Sequence, residues 1–352
     1  MTDLIHLDDL ATVAESVGPE SQGAAVAIGN FDGVHVGHSA MLRRLADMCQ
    51  SPPRRLDARQ SKTRSGDLGE LRRPPVVAVT FDPHPAAVLS PQHWFLGGDL
   101  SIPNRLTSMK TRAERMDGLG VDKLLVLRSD RGLLRESAED FYRKLLVEGL
   151  GAKYLIEGPN FCFGRDRGGC VDQLRDWCPR DGMTFEVADA AQDGGAMISS
   201  SRIRDLIVAG QIDAAVAMMG WPHRIEADVI RGAQRGRELG FPTANLGPLD
   251  VVTPGDGVYG GTAKVNGRRV PAAIHIGPNP TFESSRATKI EAHLIDFDGQ
   301  LYGTQLAIDI QFRVRDVVRF DSRDDLVEQL KTDISDIRHR LDGGHLGQTH
   351  ER

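Results

Sequence analysis

The sequence predicts two linked domains, an α/β domain on a parallel sheet followed by an antiparallel all-β domain closed by one helix. Three observations predict this. The first half alternates short aliphatic runs with amphipathic helical stretches, the pattern of parallel strands joined by crossover helices. After about Trp221 the runs instead alternate apolar and polar residues at period two, with no helix between them, as in an antiparallel barrel or sandwich. The length, 352 residues, suits two domains of roughly 150 residues each. The expected boundaries are 1–221 and 222–345, with a polar tail at 346–352.

In the first domain, residues 24–29, 76–81, 124–127 and 154–158 read as buried strands, because each is short, aliphatic and bounded by Gly, Pro or Asp. Leu106, Met109, Ala113 and Met116 share one helical face. Ser137 stands three residues before Asp140 and precedes Phe141, Leu145 and Leu146, a relative of the capping box. Residues 51–75 are rich in Pro, Arg and Ser without apolar period. They read as a solvated loop, with a basic arm touching a polyanion as the alternative. In the second domain, Ile225, Ala227 and Val229, and later Leu306, Ile308, Ile310 and Phe312, mark strands. Asn266-Gly267 predicts a tight hairpin, since both residues tolerate positive φ. Leu326, Leu330, Ile334 and Ile337 form a helical stripe after Asp321-Ser322.

Composition narrows the function. With 43 basic and 49 acidic side chains, nothing global favours nucleic acid or anionic membrane as a partner. No apolar run approaches a membrane span, and Met1-Thr2-Asp3-Leu4 does not open a secretory signal. The four cysteines, Cys49, Cys162, Cys170 and Cys178, form no C-x-x-C pair. Reduced thiols in a cytoplasmic protein are therefore expected, rather than structural zinc.

The most informative segment is Gly29-Asn30-Phe31-Asp32-Gly33-Val34-His35-Val36-Gly37-His38. It leaves a predicted strand and enters a predicted helix, where open α/β sheets bind ligands. Its glycines permit positive φ and close backbone approach. The helix start favours a phosphate. His35 and His38, three apart, can point the same way and offer imidazole N–H groups to oxygens where charge develops. A metal pair or two capping histidines are the alternatives. Thr80-Phe81-Asp82-Pro83-His84-Pro85 and Gly158-Pro159-Asn160-Phe161-Cys162-Phe163-Gly164 close two further strands. Ile198-Ser199-Ser200-Ser201-Arg202-Ile203-Arg204 opens a helix, its serines as caps or ligands and Arg204 placed to grip a phosphate. Four such segments are expected on one side of one sheet.

In the second domain, residues 231–245 are glycine-rich and basic, ending in Gly240-Phe241-Pro242-Thr243-Ala244-Asn245. Thr243 and Asn245 carry oxygens of the kind that complete a Mg²⁺–phosphate shell, and two residues apart on extended chain they share a side. Glu291 is a carboxylate within the apolar run 290–295. It is either the exposed face of an edge strand or a general base.

Together these motifs resemble the prokaryotic bifunctional riboflavin kinase/FAD synthetase family over about residues 10–340, with Gly257-Val258-Tyr259-Gly260-Gly261 and Asn279-Pro280-Thr281-Phe282 also matching. The resemblance implies a Rossmann-like nucleotidyltransferase domain and a six-stranded kinase barrel with a C-terminal helix. It implies phosphorylation of riboflavin to FMN by ATP in the barrel, with Mg²⁺, and adenylylation of FMN to FAD and pyrophosphate in the first domain. By that resemblance His35 and His38 are catalytic, and Gly29, Phe31, Asp32, Gly33, Gly37, Ser199, Ser200, Ser201 and Arg204 contact the adenylylating ATP. Asp82, Pro83, Pro85 and Asn160 contact FMN. Gly240, Pro242, Thr243 and Asn245 hold Mg–ATP in the kinase, Thr243 and Asn245 as metal ligands, and Glu291 is its base. The chain departs from the family in a longer basic insert at 51–75, in Ser201 where Thr is usual, and in Val317 where an acidic residue is frequent. A transferase for another phosphate acceptor is one alternative. A monofunctional FMN adenylyltransferase with a flavin-binding, kinase-inactive barrel is the other.

Overall fold

The computed structural model describes residues 1–50, 73–94, 104–232, 235–278 and 289–343. Most of the basic insert, the 279–282 turn, residues 233–234 and the tail from 344 lie outside them. The described residues divide into two compact units. One comprises those within Met1–Trp94 and Met109–Met197; the other comprises 104–108 and those from Ile198 onward.

In the first unit the elements run β1 (Asp3–Leu7), α1 (Val13–Val17), β2 (Ala25–Ile28), α2 (Val36–Gln50), β3 (Val76–Asp82), α3 (Pro85–Leu89), α4 (Pro91–Trp94), α5 (Met109–Asp117), β4 (Lys123–Arg128) and α6 (Ala138–Tyr142). There follow a π-helical turn (Arg143–Gly149), β5 (Tyr154–Glu157), the hairpin β6 (Cys162–Phe163) and β7 (Gly169–Cys170), α7 (Val171–Arg180), β8 (Thr184–Val187) and the hairpin β9 (Gln192–Asp193) and β10 (Ala196–Met197). The sheet order is β1-β4-β3-β2-β5-β8, all parallel. All four predicted strands are present. The edge strands β1 and β8 escaped the sequence because they are mostly exposed or half-buried and lack a continuous aliphatic run.

Both faces of the sheet are covered, as parallel strands require. Val26, Ile28, Val77, Val79, Leu125, Leu127 and Leu155 pack with Val13 and Val17 of α1, Phe141 of α6 and Leu174 of α7. Residues of the other parity, such as Ala27, Ala78 and Leu124, are equally enclosed, and α2 lies against β2, β3 and β5. Ser137 caps α6 by accepting from Asp140 N, as expected. The helix predicted around Leu106 begins only at Met109.

The second unit contains α8 (Ser200–Val208), α9 (Ile212–Met219), β11 (His223–Ile230), α10 (Arg235–Glu238), β12 (Ala244–Leu246), β13 (Gly257–Val265), β14 (Arg268–Gly277), β15 (Lys289–Leu294), β16 (Gln305–Arg315) and α11 (Arg323–Gly343). Six strands close a barrel in the order β11-β12-β15-β14-β13-β16. Alternate residues point in, as in β11, where Ile225, Ala227 and Val229 are buried. The Asn266-Gly267 turn joins β13 to β14 with both residues at positive φ, 49° and 77°. Ile337 of α11 packs with Phe312 and Ile295 outside the barrel. The helix is also fixed by Arg315, which donates to buried Asp333 at 2.8 and 3.0 Å.

Candidate functional sites

Strand order reverses between β2 and β5: from β2 the chain adds β3 and β4 on one side, then returns to add β5 and β8 on the other. Ligands of open α/β sheets bind at the carboxyl end of such a reversal. The two strands pair only at Ala25↔Tyr154 and Val26↔Leu155. Beyond that the Ile28 N–H is satisfied by the buried Glu157 carboxyl at 2.7 Å, whose pKa burial pushes well above the usual range. The segments after β2 and β5 are the Gly29–His38 turn and the Gly158–Gly164 loop. The Thr80–Pro85 segment follows on β3.

The turn is held from below. Arg112 of α5, 3% exposed, donates to the Asn30 carbonyl at 2.7 Å, to Thr80 Oγ1 at 3.1 Å and to Asp32 Oδ1 at 3.1 Å. Arg115 reaches the Gly33 carbonyl at 3.3 Å. Phe31 and Val34 adopt φ of 45° and 42°, the left-handed region that bulky residues avoid; both are fully enclosed. Of the three glycines that permit positive φ, only Gly33 uses it, at 82°. Gly37 serves close packing instead, since a Cβ there would stand 3.2 Å from Ala191 and 3.3 Å from the His35 ring. Phe31 and Asp32, expected as nucleotide contacts, have enclosed side chains. Asp32 is 1% exposed against Arg112 and Phe31 meets the His38 ring edge-on. Their side chains shape the turn.

His35 and His38 are brought together as predicted, with rings stacked at 3.7 Å between centroids. His35 precedes α2 and its Nδ1 accepts from His38 N at 3.4 Å, so the capping alternative is met in part. An accepting Nδ1 places the neutral ring's proton on Nε2, which makes Nε2–H the available donor. Burial lowers the His35 pKa to about 4 against the attraction of Asp32. Burial, then His35, then Arg112 hold His38 well below the ordinary range. Both rings are neutral at neutral pH, which lets them stack. The Nδ1 of His38 is buried without a partner among the described residues.

This pair makes stability depend on pH. The unfolded His35 binds its proton near the ordinary 6.5 and the folded one only near 4, so the unfolded chain holds more protons between those values. The contribution is present above pH 6.5 and lost as pH falls toward 4, to a limit of roughly 3 kcal/mol. Urea unfolding at about pH 7 and about pH 4.5 should show a smaller drop for His35→Gln than for the native chain. Arg112→Met should lower stability by about 3–5 kcal/mol, since it removes one member of a buried ion pair; chemical denaturation measures it. Sequence reading missed Arg112, Glu157 and the role of Asp32, because each acts on a neighbour far away in the chain.

On the other segments, the Asp82–Pro83 peptide is cis, and Asp82 and Pro85 are half-buried while Pro83 is exposed. His84 Nδ1 accepts from Ala86 N at 3.1 Å and its ring stacks on Trp94. Asn160 is exposed, its Nδ2 at 3.5 Å from Met197 Sδ. The fourth segment opens α8. Ser199 caps α8 by accepting from Arg202 N at 3.3 Å, and α8 groups with the barrel unit, where Gly255 N donates to the Ile207 carbonyl. Three of the four expected segments thus leave β2, β3 and β5 of one sheet, and the fourth opens α8, which packs on α9. There Ser200 is half-buried and Ser201 exposed. Arg204 is 8% exposed and donates to Ser201 Oγ at 3.3 Å.

On the barrel, Asn245 pairs directly with Glu291, and Glu291 with His275. Their neighbours Ala244, Ala292, Ile274 and Ile276 fill the interior, so Asn245, Glu291 and His275 lie side by side on the outer face. A closed barrel has no edge, which removes the edge-strand account of Glu291. Gly240 has φ of 86°, and the His293 ring bonds the Pro242 carbonyl at 2.8 Å, fixing the approach to Thr243. The glycine-rich loop is close packed: a Cβ on Gly232 would overlap the Asn245 amide, and one on Gly236 would meet the Phe241 carbonyl, with Thr243 Oγ1 at 3.4 Å. The hydroxyl and amide oxygens of Thr243 and Asn245 are hard donors that fit a Mg²⁺ carried by nucleotide phosphates. Among the described residues no cluster of three or more His, Cys, Asp or Glu forms a self-sufficient cage.

Two family models match successive stretches of the chain. The FAD synthetase family model covers residues 18–55 and 64–202, and the riboflavin kinase model covers 219–341. Proteins named bifunctional riboflavin kinase/FMN adenylyltransferase include one from Pseudomonas fluorescens, 33% identical over 91% of this chain and 94% of its own. One from Escherichia coli K12 is 30% identical over 89% and 91%, and one from Listeria monocytogenes is 32% identical over 89% and 91%. A crystal structure described as a macrolide-efflux protein from Streptococcus pneumoniae superposes with a TM-score of 0.78 at 26% identity, over 95% of this chain and 98% of that one. The efflux name is that protein's; among the described residues here no helix is long and apolar enough to cross a membrane.

Proposed function

The chain belongs to the bifunctional riboflavin kinase/FMN adenylyltransferase family, and from that premise we propose which residues carry each step. It phosphorylates riboflavin to FMN with ATP, then adenylylates FMN with a second ATP to give FAD and pyrophosphate. The observation that carries the residue assignment is that the His35–His38 pair lies on the sheet unit, while Thr243, Asn245 and Glu291 lie on the barrel. The kinase-inactive alternative loses ground because Thr243, Asn245 and Glu291 all fall within the matched kinase segment.

In the adenylyl transfer, the phosphate of FMN attacks the α-phosphorus of ATP and pyrophosphate leaves, without a covalent enzyme intermediate. His35 Nε2–H and the His38 ring donate to the phosphate oxygens as charge shifts toward the leaving group. Their neutrality in the free protein is an asset, since a bound polyphosphate raises the pKa of a nearby imidazole and strengthens the donor only once substrate is present. The Gly29–Gly37 main chain and the start of α2 offer further N–H groups. Asp82, Pro83, Pro85 and Asn160 shape the flavin side. Ser199, Ser200 and Ser201, within the FAD synthetase match, and Arg204, just past its end, are assigned to the nucleotide by the family resemblance. In the kinase, Glu291 takes the proton of the riboflavin hydroxyl as it attacks the γ-phosphorus. Thr243 and Asn245 would hold Mg²⁺, with Gly240 and Pro242 setting their approach. Mg²⁺, when bound, neutralises charge on the phosphates.

We place the functional boundary at 221/222, which the start of the kinase match at 219 supports, with 346–352 as a tail. A cytoplasmic setting belongs to the same proposal, because both reactions draw on intracellular ATP. Chromatography of products from riboflavin and Mg–ATP tests the whole: FMN should appear first and FAD after it. FMN without FAD, or neither, would overturn the assignment.

A further inference from the structure

The hairpin that follows Asn160 carries two cysteines that the chemistry above does not use. Cys162 and Cys170 are directly opposed on the antiparallel strands β6 and β7, and both are reduced and half-buried. Opposed residues of an antiparallel pair project to the same side with Cα atoms about 4.5 or 5.5 Å apart. Both spacings lie inside the roughly 4.4–6.8 Å range that a disulfide spans.

The pairing is held in register. Gln173 Oε1 accepts from Cys170 N at 2.8 Å while its amide donates to the Gly168 carbonyl at 3.2 Å. At the tip, Arg165 N donates to the Glu136 carbonyl at 2.7 Å. The Phe163 ring lies so close against Gly169 that a Cβ there would overlap it. The other two cysteines are poor candidates: Cys49 and Cys178 are buried, and burial raises each thiol to about 11. Cys162 also touches the flavin-side loop, since its thiol donates to the Asn160 carbonyl at 3.7 Å.

We propose that Cys162 and Cys170 form a reversible disulfide that slows FAD synthesis by resetting the Asn160 loop. The oxidant is a small-molecule disulfide. One protein thiolate attacks it, releasing one small thiolate and forming a mixed disulfide. The second protein thiolate attacks the protein sulfur of that adduct, closes the bridge and releases the other small thiolate. The two protein thiols lose two electrons to the oxidant and their two protons to the released thiolates. Transient, regulatory bridges are the usual kind in a reducing compartment. Bridging removes the thiol that donates to Asn160. The consequence for FAD synthesis rests on the reading of Asn160 as a flavin contact.

The test uses the full chain in oxidised glutathione, alkylated, digested and mapped by mass spectrometry. A Cys162–Cys170 linked peptide is expected, with FAD formation from FMN slowed by roughly tenfold, the order that a small displacement of a positioning group costs. Dithiothreitol should restore the rate, riboflavin phosphorylation should not change, and Cys170→Ser should be insensitive to the oxidant. Separate glutathione adducts, or both thiols still open to alkylation, would overturn the bridge. A bridge with an unchanged FAD rate would overturn its regulatory role. The linkage is read by mass alone, so it stands apart from the role of Asn160, which Asn160→Ala kinetics tests independently.

Discussion

Glu291→Ala abolishes riboflavin phosphorylation, with a loss of roughly two to four orders of magnitude in kcat, and leaves FAD formation from added FMN at the native rate. The reason is positional. Glu291 lies between Asn245 and His275 on the outer face of the barrel, beside the pair assigned to Mg–ATP. Removing the carboxylate removes the proton acceptor and leaves the interior layer of Ala244, Ala292 and Ile274 untouched. The fold should survive, because a half-buried outward side chain carries little packing. Separate assays of ADP from riboflavin and of pyrophosphate from FMN measure the split. An equal loss in both, in a protein with native circular dichroism, would assign Glu291 to the structure rather than the kinase.

His38→Ala gives the converse: FAD formation falls by roughly two to three orders of magnitude, as for one preorganised donor, while riboflavin phosphorylation is spared. The ring stacks on His35 and meets Phe31 edge-on, so the substitution also frees His35 to move, and the loss should fall mainly on kcat. His38→Gln, which keeps an N–H donor of similar reach, should recover part of the rate. A variant whose Michaelis constant for ATP rises while kcat holds would show that His38 only binds substrate in its ground state.

Much of the fold was legible in the chain. The four central strands are aliphatic because both their faces are buried, and burial on both faces is what an uninterrupted apolar run records. The edge strands β1 and β8 have one side open and leave no such record. The Asn266-Gly267 hairpin was legible because only residues that accept positive φ close a two-residue turn. The positive φ of Phe31 and Val34 was not, since nothing local favours it and only their enclosure sustains it. His35, His38, Thr243, Asn245 and Glu291 announced themselves as polar residues in places where packing alone would not put them.

The sequence by itself determined the two kinds of sheet, the tight turns, the helix caps and the presence of the two polar constellations. Those depend on residues within a few positions of one another, through periodicity, φ preference and local hydrogen bonding. The tertiary structure decided what depends on residues distant in the chain. It set strand order, and with it the reversal between β2 and β5. It grouped α8 with the barrel, directed Arg112 to the backbone of the turn some eighty residues earlier and Glu157 to the end of β2 some hundred and thirty residues earlier, and opposed Cys162 to Cys170. The physical reason is that an apolar face or a buried charge constrains the chemistry of its partner and leaves the partner's position to the packing of the whole unit.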